Sequence, residues 1–194
     1  MKERPILFNE QMVRALLCGS KTQTRRALNP QPDSGVQFGA IATPHGVVNG
    51  KGNPLVCKYG KPGDRLWVRE SFWCCDLPGY GDTPCVVYDD EWIGNEYKPA
   101  EARPWGRKFG RIPSIHMPRD CSRITLEIIN VRVERLQDIS EEDAIAEGID
   151  GPMCAAAVSK APTSHLLLPV AVHGYSYLWE SINGQGSWDL NPLV

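Results

Sequence analysis

Apolar residues fall at helical spacing near the start of the chain. Phe8, Met12 and Leu16 recur every four residues, Val13 and Leu17 widen the stripe, and Asn9 stands where a cap belongs. Gly19 supplies the stop, so a short amphipathic helix is predicted to end there. Further on the period becomes two. In the run Arg65 to Trp73, Leu66, Val68, Glu70 and Phe72 share one face and Arg65, Trp67, Arg69, Ser71 and Trp73 the other, which predicts a strand behind the Lys61-Pro62-Gly63-Asp64 turn. Glu70 is the odd residue on that apolar face, because a buried carboxylate needs a cation or donors beside it. A short strand is predicted at Cys85 to Tyr88. Over 122–136, Ile124, Leu126 and Ile128 alternate in one phase and Ile129, Val131 and Val133 in the other, predicting a strand pair or bent strand with a bulge near Ile128. Ser140-Glu141-Glu142-Asp143 has the capping-box form, so a helix is predicted from about Glu141 to Glu147 with Gly148 closing it, and a last helix from about Val170 to Ile182.

Three irregular stretches rich in Pro, Gly or Asn separate these elements, at about 27–58, 76–113 and 150–169. They read as loop insertions in a single domain spanning 1–194. Few helices and strands divided by long connections point to an α+β fold built on a small mixed sheet or barrel, not to a doubly wound one.

Composition narrows the function classes only a little. The net charge is −2, so attraction to nucleic acid must come from a local patch and not from the bulk field. No apolar run approaches the roughly 20 residues of a membrane span, and Met1-Lys2-Glu3-Arg4-Pro5 lacks the apolar core of a secretory signal; a cytoplasmic protein is expected. The cysteines are Cys18, Cys57, Cys74, Cys75, Cys85, Cys121 and Cys154, an odd number with no Cys-x-x-Cys pair, which favours reduced thiols over a disulfide framework. Cys74, Cys75, His116 and Cys121 match no common zinc-ligand spacing, so no metal and no cofactor are expected.

The chemistry is concentrated in Gly19-Ser20-Lys21-Thr22-Gln23-Thr24-Arg25-Arg26, just beyond the first helix. An amine, hydroxyls and two guanidinium groups at this density suit anion binding or catalysis, and also suit a solvated basic strand. As a strand, the run places Thr22, Thr24 and Arg26 on one face and Lys21, Gln23 and Arg25 on the other.

Taken with Gly63-Asp64-Arg65-Leu66-Trp67-Val68-Arg69-Glu70-Ser71-Phe72 and with the later Leu136-Gln137-Asp138-Ile139-Ser140-Glu141-Glu142-Asp143-Ala144-Ile145-Ala146-Glu147-Gly148-Ile149, this block resembles the ASCH domain of the PUA-like superfamily. Leu178 to Gly184 makes it similar in particular to the larger ASCH proteins of bacteriophages and prophages, whose ends carry a like element. The resemblance implies a small PUA-like β-barrel flanked by helices, with a cleft beside the helix that carries Glu147. It implies RNA or a modified nucleoside as partner. It also implies, from small amidohydrolases that deacetylate acetylcytidine, catalytic roles for Lys21, Thr24 and Glu147; a ribonuclease and a phage accessory or assembly protein with a non-catalytic cleft are the alternatives.

Physical chemistry fits such roles. Thr24 needs a base within reach to attack, and Lys21 becomes one only if burial or neighbouring cations depress its pKa, to which Arg25 and Arg26 would contribute. Arg26 or Arg69 offers a fork of donors for an oxyanion or phosphate. Arg65, Arg69, Arg119 and Arg123 are candidates for a phosphate-binding rim, Arg25 for a further ligand contact, Trp67 for stacking on a base, and Glu70 for a polar contact to the ligand or for pairing with an arginine. Nothing in the sequence specifies the oligomeric state.

Overall fold

The computed structural model describes residues 1–32, 37–38, 47–75, 85–88, 111–152 and 168–194. The chain divides into two compact units, Met1–Arg14 with Lys58–Asn130 and Ala15–Cys57 with Val131–Val194.

The first unit is organised by strand β1 (Glu3–Leu7), which the sequence pattern did not announce because it holds a proline and only two large apolar residues. Pro5 is tolerated there because β1 lies at a sheet edge. β1 runs parallel to the strand over Arg65–Arg69, labelled β4 in chain order, with Glu3 opposite Arg65 and Leu7 opposite Arg69. The predicted run to Trp73 is broken after Arg69 and resumes as β5 (Phe72–Cys75). Its alternation is preserved, since Leu66, Val68, Glu70 and Phe72 are all buried, together with Ile6 and Met117. β5 pairs with β6 (Cys85–Tyr88), where a strand was expected, and with β7 (Arg111–Ile112).

The turn before β4 is held from several sides. Asp64 accepts from the Lys2 backbone N–H at 2.8 Å and from Arg4 Nη1 at 3.1 Å, which keeps its carboxyl below the usual range. Gly60 is required beside it: φ is +134°, and an added Cβ would sit 2.8 Å from Arg4 Nη1 and 3.0 Å from Asp64 Oδ2.

The predicted long strand over 122–136 shrinks to β8 (Thr125–Glu127), antiparallel to β4. Ile128 turns inward and Ile129 outward, at the place where the phase of the pattern slips.

In the second unit a helix occupies Glu141–Ala146 (α2) and another Val170–Asn183 (α3), both where the pattern predicted. α2 opens as its sequence requires, with the Ser140 side chain accepting from the Asp143 backbone N–H. α3 buries Ala171, Val172, Tyr175, Leu178 and Trp179, one face at helical spacing, against Leu136, Ile139, Ala144, Trp188 and Val194. The chain end is stitched in: Val194 and Glu134 exchange backbone hydrogen bonds at 3.0 and 3.2 Å, and Leu28 N–H donates to Leu193 O at 3.0 Å. Within the stretch 27–58, β2 (Gln37–Phe38) pairs with β3 (Val47–Val48). The first helix, α1 (Glu10–Leu17), begins behind the predicted cap, with the Met12 N–H donating to Asn9 Oδ1, and stops at Gly19 with φ at +78°.

The expected PUA-like β-barrel is overturned. Among the described residues the sheets are open, in the orders β1-β4-β8, β2-β3 and β6-β5-β7. Three short strands cannot wrap round to meet one another, and the run that would have lengthened the set is a strand over three residues only. The fold is α+β with small open sheets. No helix among the described residues is long and apolar enough to cross a membrane. Of the expected insertions, 33–36, 39–46, 76–84, 89–110 and 153–167 lie outside the described residues, as do the side chains of Cys74 and Cys75.

Candidate functional site

The last carbonyls of a helix have no partner within it. At the end of α2 the segment after Gly19 supplies them. Thr22 N–H and Gln23 N–H both donate to Ala146 O, at 2.8 and 3.0 Å, and Lys21 Nζ donates to Glu147 O at 2.8 Å. Lys21 and Glu147 also form an isolated antiparallel bridge. The expected strand over 21–26 is therefore reduced to that one bridge, because its backbone donors cap a helix instead of joining a ladder. Its alternation survives: Lys21, Gln23 and Arg25 turn towards the acids of α2, Thr22 is exposed and Thr24 half-buried.

Gly148 makes the approach possible. Its φ is +91°, and a Cβ there would lie 3.0 Å from Ala15 Cβ and 3.2 Å from Lys21 Cβ.

The side chains form a buried charge cluster. Lys21 Nζ lies 2.7 Å from Glu147 Oε2, with 1% and 3% of the two side chains exposed. Glu147 Oε1 accepts from Arg25 Nη1 at 3.3 Å. Arg25 Nη2 also donates to Glu134 Oε1 at 2.6 Å and to Asp143 Oδ2 at 2.7 Å, while its Nε reaches Glu134 Oε1 at 3.0 Å. Gln23 Nε2 donates to Asp143 Oδ1 at 2.6 Å, and Arg132 Nη2 to Asp143 Oδ2 at 3.0 Å.

Burial is the strongest influence on the Lys21 amine and pushes its pKa down; Glu147 opposes this, and the charges of Arg26 and Arg25 add to the depression. For Asp143 burial works upwards, but the donors of Gln23 and Arg25 and the charge of Arg132 prevail and hold the carboxyl low. Burial also opposes the charge of Arg25, and Glu134, Glu147 and Asp143 more than offset it. Tyr175 of α3 feels the same cluster: burial, and then the charge of Glu147, push its hydroxyl far above the usual range. The Thr24 hydroxyl has no hydrogen-bond partner among the described residues.

Lys21 and Glu147 are thus brought together within the second unit, with Arg25 on the other carboxylate oxygen of Glu147 and on two further acids; Thr24, the third expected catalytic residue, makes no side-chain hydrogen bond to either. Arg25, expected to contact a ligand, directs its donors to three carboxylates of the protein. Arg26 is half-buried in the same segment.

The remaining candidates belong to the first unit. Glu70 has the cation its position demanded: Arg123 Nε and Nη2 reach its two oxygens at 3.0 and 2.9 Å, and the same guanidinium lies 3.9 Å above the Tyr88 ring. Trp67 is flanked by Arg69 and Arg119, at 5.5 and 6.0 Å from its ring centre. Arg119 binds Glu3 at 3.0 Å, Arg69 Nη2 donates to Ile115 O, and Arg65 faces Glu127 across the β4–β8 pair.

Sequence reasoning missed Glu134, Asp143, Gln23, Arg132 and Tyr175 as members of the cluster. Asp143 has an ordinary reason to be where it is, as a first-turn acid of α2, and nothing in the spacing links Arg25 to a residue 109 positions away. No family model matches the chain, and neither a curated protein nor a solved structure matches it.

Proposed function

We propose that the chain binds a modified pyrimidine nucleoside, free or within RNA, and hydrolyses the acyl amide on its exocyclic nitrogen. Thr24, Lys21 and Glu147 are the reacting set, and the reading rests on the resemblance of three sequence blocks to the ASCH domain. The observation that carries it is the buried Lys21–Glu147 pair: an amine with depressed basicity, hydrogen-bonded to a carboxylate, three residues before a threonine whose hydroxyl bonds to none of the described residues.

In the proposed reaction neutral Lys21 takes the proton of the Thr24 hydroxyl as Oγ1 bonds to the acyl carbon. The carbon–nitrogen bond then breaks, and the departing nucleobase amine takes that proton from Lys21. Water adds to the acyl-threonine ester as Lys21 takes one of its protons; the acyl carbon–Oγ1 bond then breaks, Lys21 returns that proton to Oγ1, and the acid leaves with Thr24 and neutral Lys21 restored. Glu147 holds the amine in place through Oε2 and steadies the ammonium when it forms. Incubating the protein with acetylcytidine and following cytidine release tests the reading, with Thr24→Ala as the inactive control; no release by the wild-type protein refutes it.

A further inference from the structure

Glu147 has two carboxylate oxygens, and each has a different owner. Oε2 meets Lys21 Nζ at 2.7 Å, and Oε1 meets Arg25 Nη1 at 3.3 Å. The guanidinium is not free to follow Glu147, because two other carboxylates hold it: Glu134 through Nε and Nη2, and Asp143 through Nη2. Its side chain is 6% exposed. Asp143 is itself braced by Gln23 and Arg132.

We propose that Arg25 is the positioning residue of this site: anchored by Glu134 and Asp143, it fixes the Glu147 carboxylate so that one oxygen is committed to Arg25 and the other is presented to Lys21. The planar fork is what allows this, since one guanidinium spans three acids whereas an ammonium is a point charge. The arrangement also sets the proton affinity of Lys21. With both oxygens of Glu147 engaged, the carboxylate attracts the ammonium less than it would alone, and the positive charge of Arg25 acts on Lys21 directly. Among the described residues the charged groups acting on Lys21 are Glu147, at the end of α2, and Arg26 and Arg25 from its own segment, with Glu134 and Asp143 behind Arg25 and the Tyr175 hydroxyl of α3 within the influence of Glu147.

As a statement about catalysis this rests on the proposed hydrolase reading, but its test does not use turnover. The Lys21 amine is titrated by heteronuclear NMR in the full chain, in wild-type protein and in Arg25→Met and Arg25→Lys. Loss of Arg25 moves the Lys21 midpoint upwards, furthest in Arg25→Met, where the charge is lost as well as the fork. Arg25→Lys is the deciding variant, because it keeps the charge and loses only the fork, and it also serves should Arg25→Met not fold. A Lys21 midpoint unchanged in folded Arg25→Lys overturns the proposal, since an arginine that acts by its charge alone would leave the midpoint where it is in that variant. Turnover of acetylcytidine, measured separately, falls by up to about 100-fold in Arg25→Met, the cost of misplacing a reacting group by about 1 Å. Absence of turnover in the wild type would sink the hydrolase reading while leaving the titration result standing.

Discussion

Replacing Lys21 by Met keeps the bulk of the side chain and removes its charge and donors. The hydrogen bonds to Glu147 Oε2 at 2.7 Å and to Glu147 O at 2.8 Å are lost, in a place where water does not substitute. Removing one member of a buried pair costs about 3–5 kcal/mol because the other charge is stranded. Glu147 keeps Arg25 at 3.3 Å, which places this case near the lower end, and the orphaned carbonyl adds about 1 kcal/mol. A loss of about 4 kcal/mol follows, a large part of an ordinary domain's 5–15 kcal/mol. Urea denaturation at neutral pH reads it directly. At about 2–4 °C per kcal/mol for a chain of this size, the melting temperature should fall by about 10 °C. Adding Glu147→Leu should restore much of the loss, because replacing both members of a buried pair with apolar groups is close to neutral. A Lys21→Met protein within about 0.5 kcal/mol of wild type would refute the reasoning, since that is the behaviour of a surface lysine.

Gly148→Ala should destabilise more than Gly19→Ala: both sit at positive φ, worth about 1–2 kcal/mol, but only at Gly148 does the new Cβ meet Ala15 and Lys21. Equal melting temperatures for the two variants would contradict the close approach. Stability should depend on pH at both ends. Asp64 and Asp143 are depressed below the ordinary aspartate value of 3.8, so their contribution is present above that pH and is lost as the pH falls through their folded values. Lys21 is depressed below 10.5, so in the window between its folded value and 10.5 the unfolded chain binds more protons and stability rises with pH. Tyr175 opposes this above about pH 10, since the folded chain keeps its proton longer; the difference between wild-type and Lys21→Met denaturation curves isolates the lysine, and a difference independent of alkaline pH would contradict its depressed pKa.

Local signals were legible where a short stretch of chain decides its own conformation. Ser140 and Gly148 bracket α2, the face from Ala171 to Trp179 marks α3, and period two in Leu66, Val68, Glu70 and Phe72 survives a break in the strand. Glu70 was legible even as a demand for a cation, though the identity of Arg123 was not. What failed was long-range. β1 is a strand only because β4 supplies its partners, the run 122–136 carries β-like alternation that mostly finds no ladder, and closure into a barrel depends on strand number and length that no single segment encodes. The basic block shows the same division. Its alternation was readable from residues 21–26, whereas its partners come from α2 and Glu134, more than a hundred positions later, and they turn Arg25 from an expected ligand contact into a bridge among acids.

The central claim is that the buried pair serves hydrolysis through Thr24. The most direct measurement is cytidine release from acetylcytidine by wild-type, Thr24→Ala, Lys21→Ala and Glu147→Ala proteins, each verified as folded. The account predicts turnover in the wild type and its loss in all three variants, including Thr24→Ala, which removes a side chain that makes no hydrogen bond to the described residues. Equal rates in all four proteins, or none in any, would contradict it.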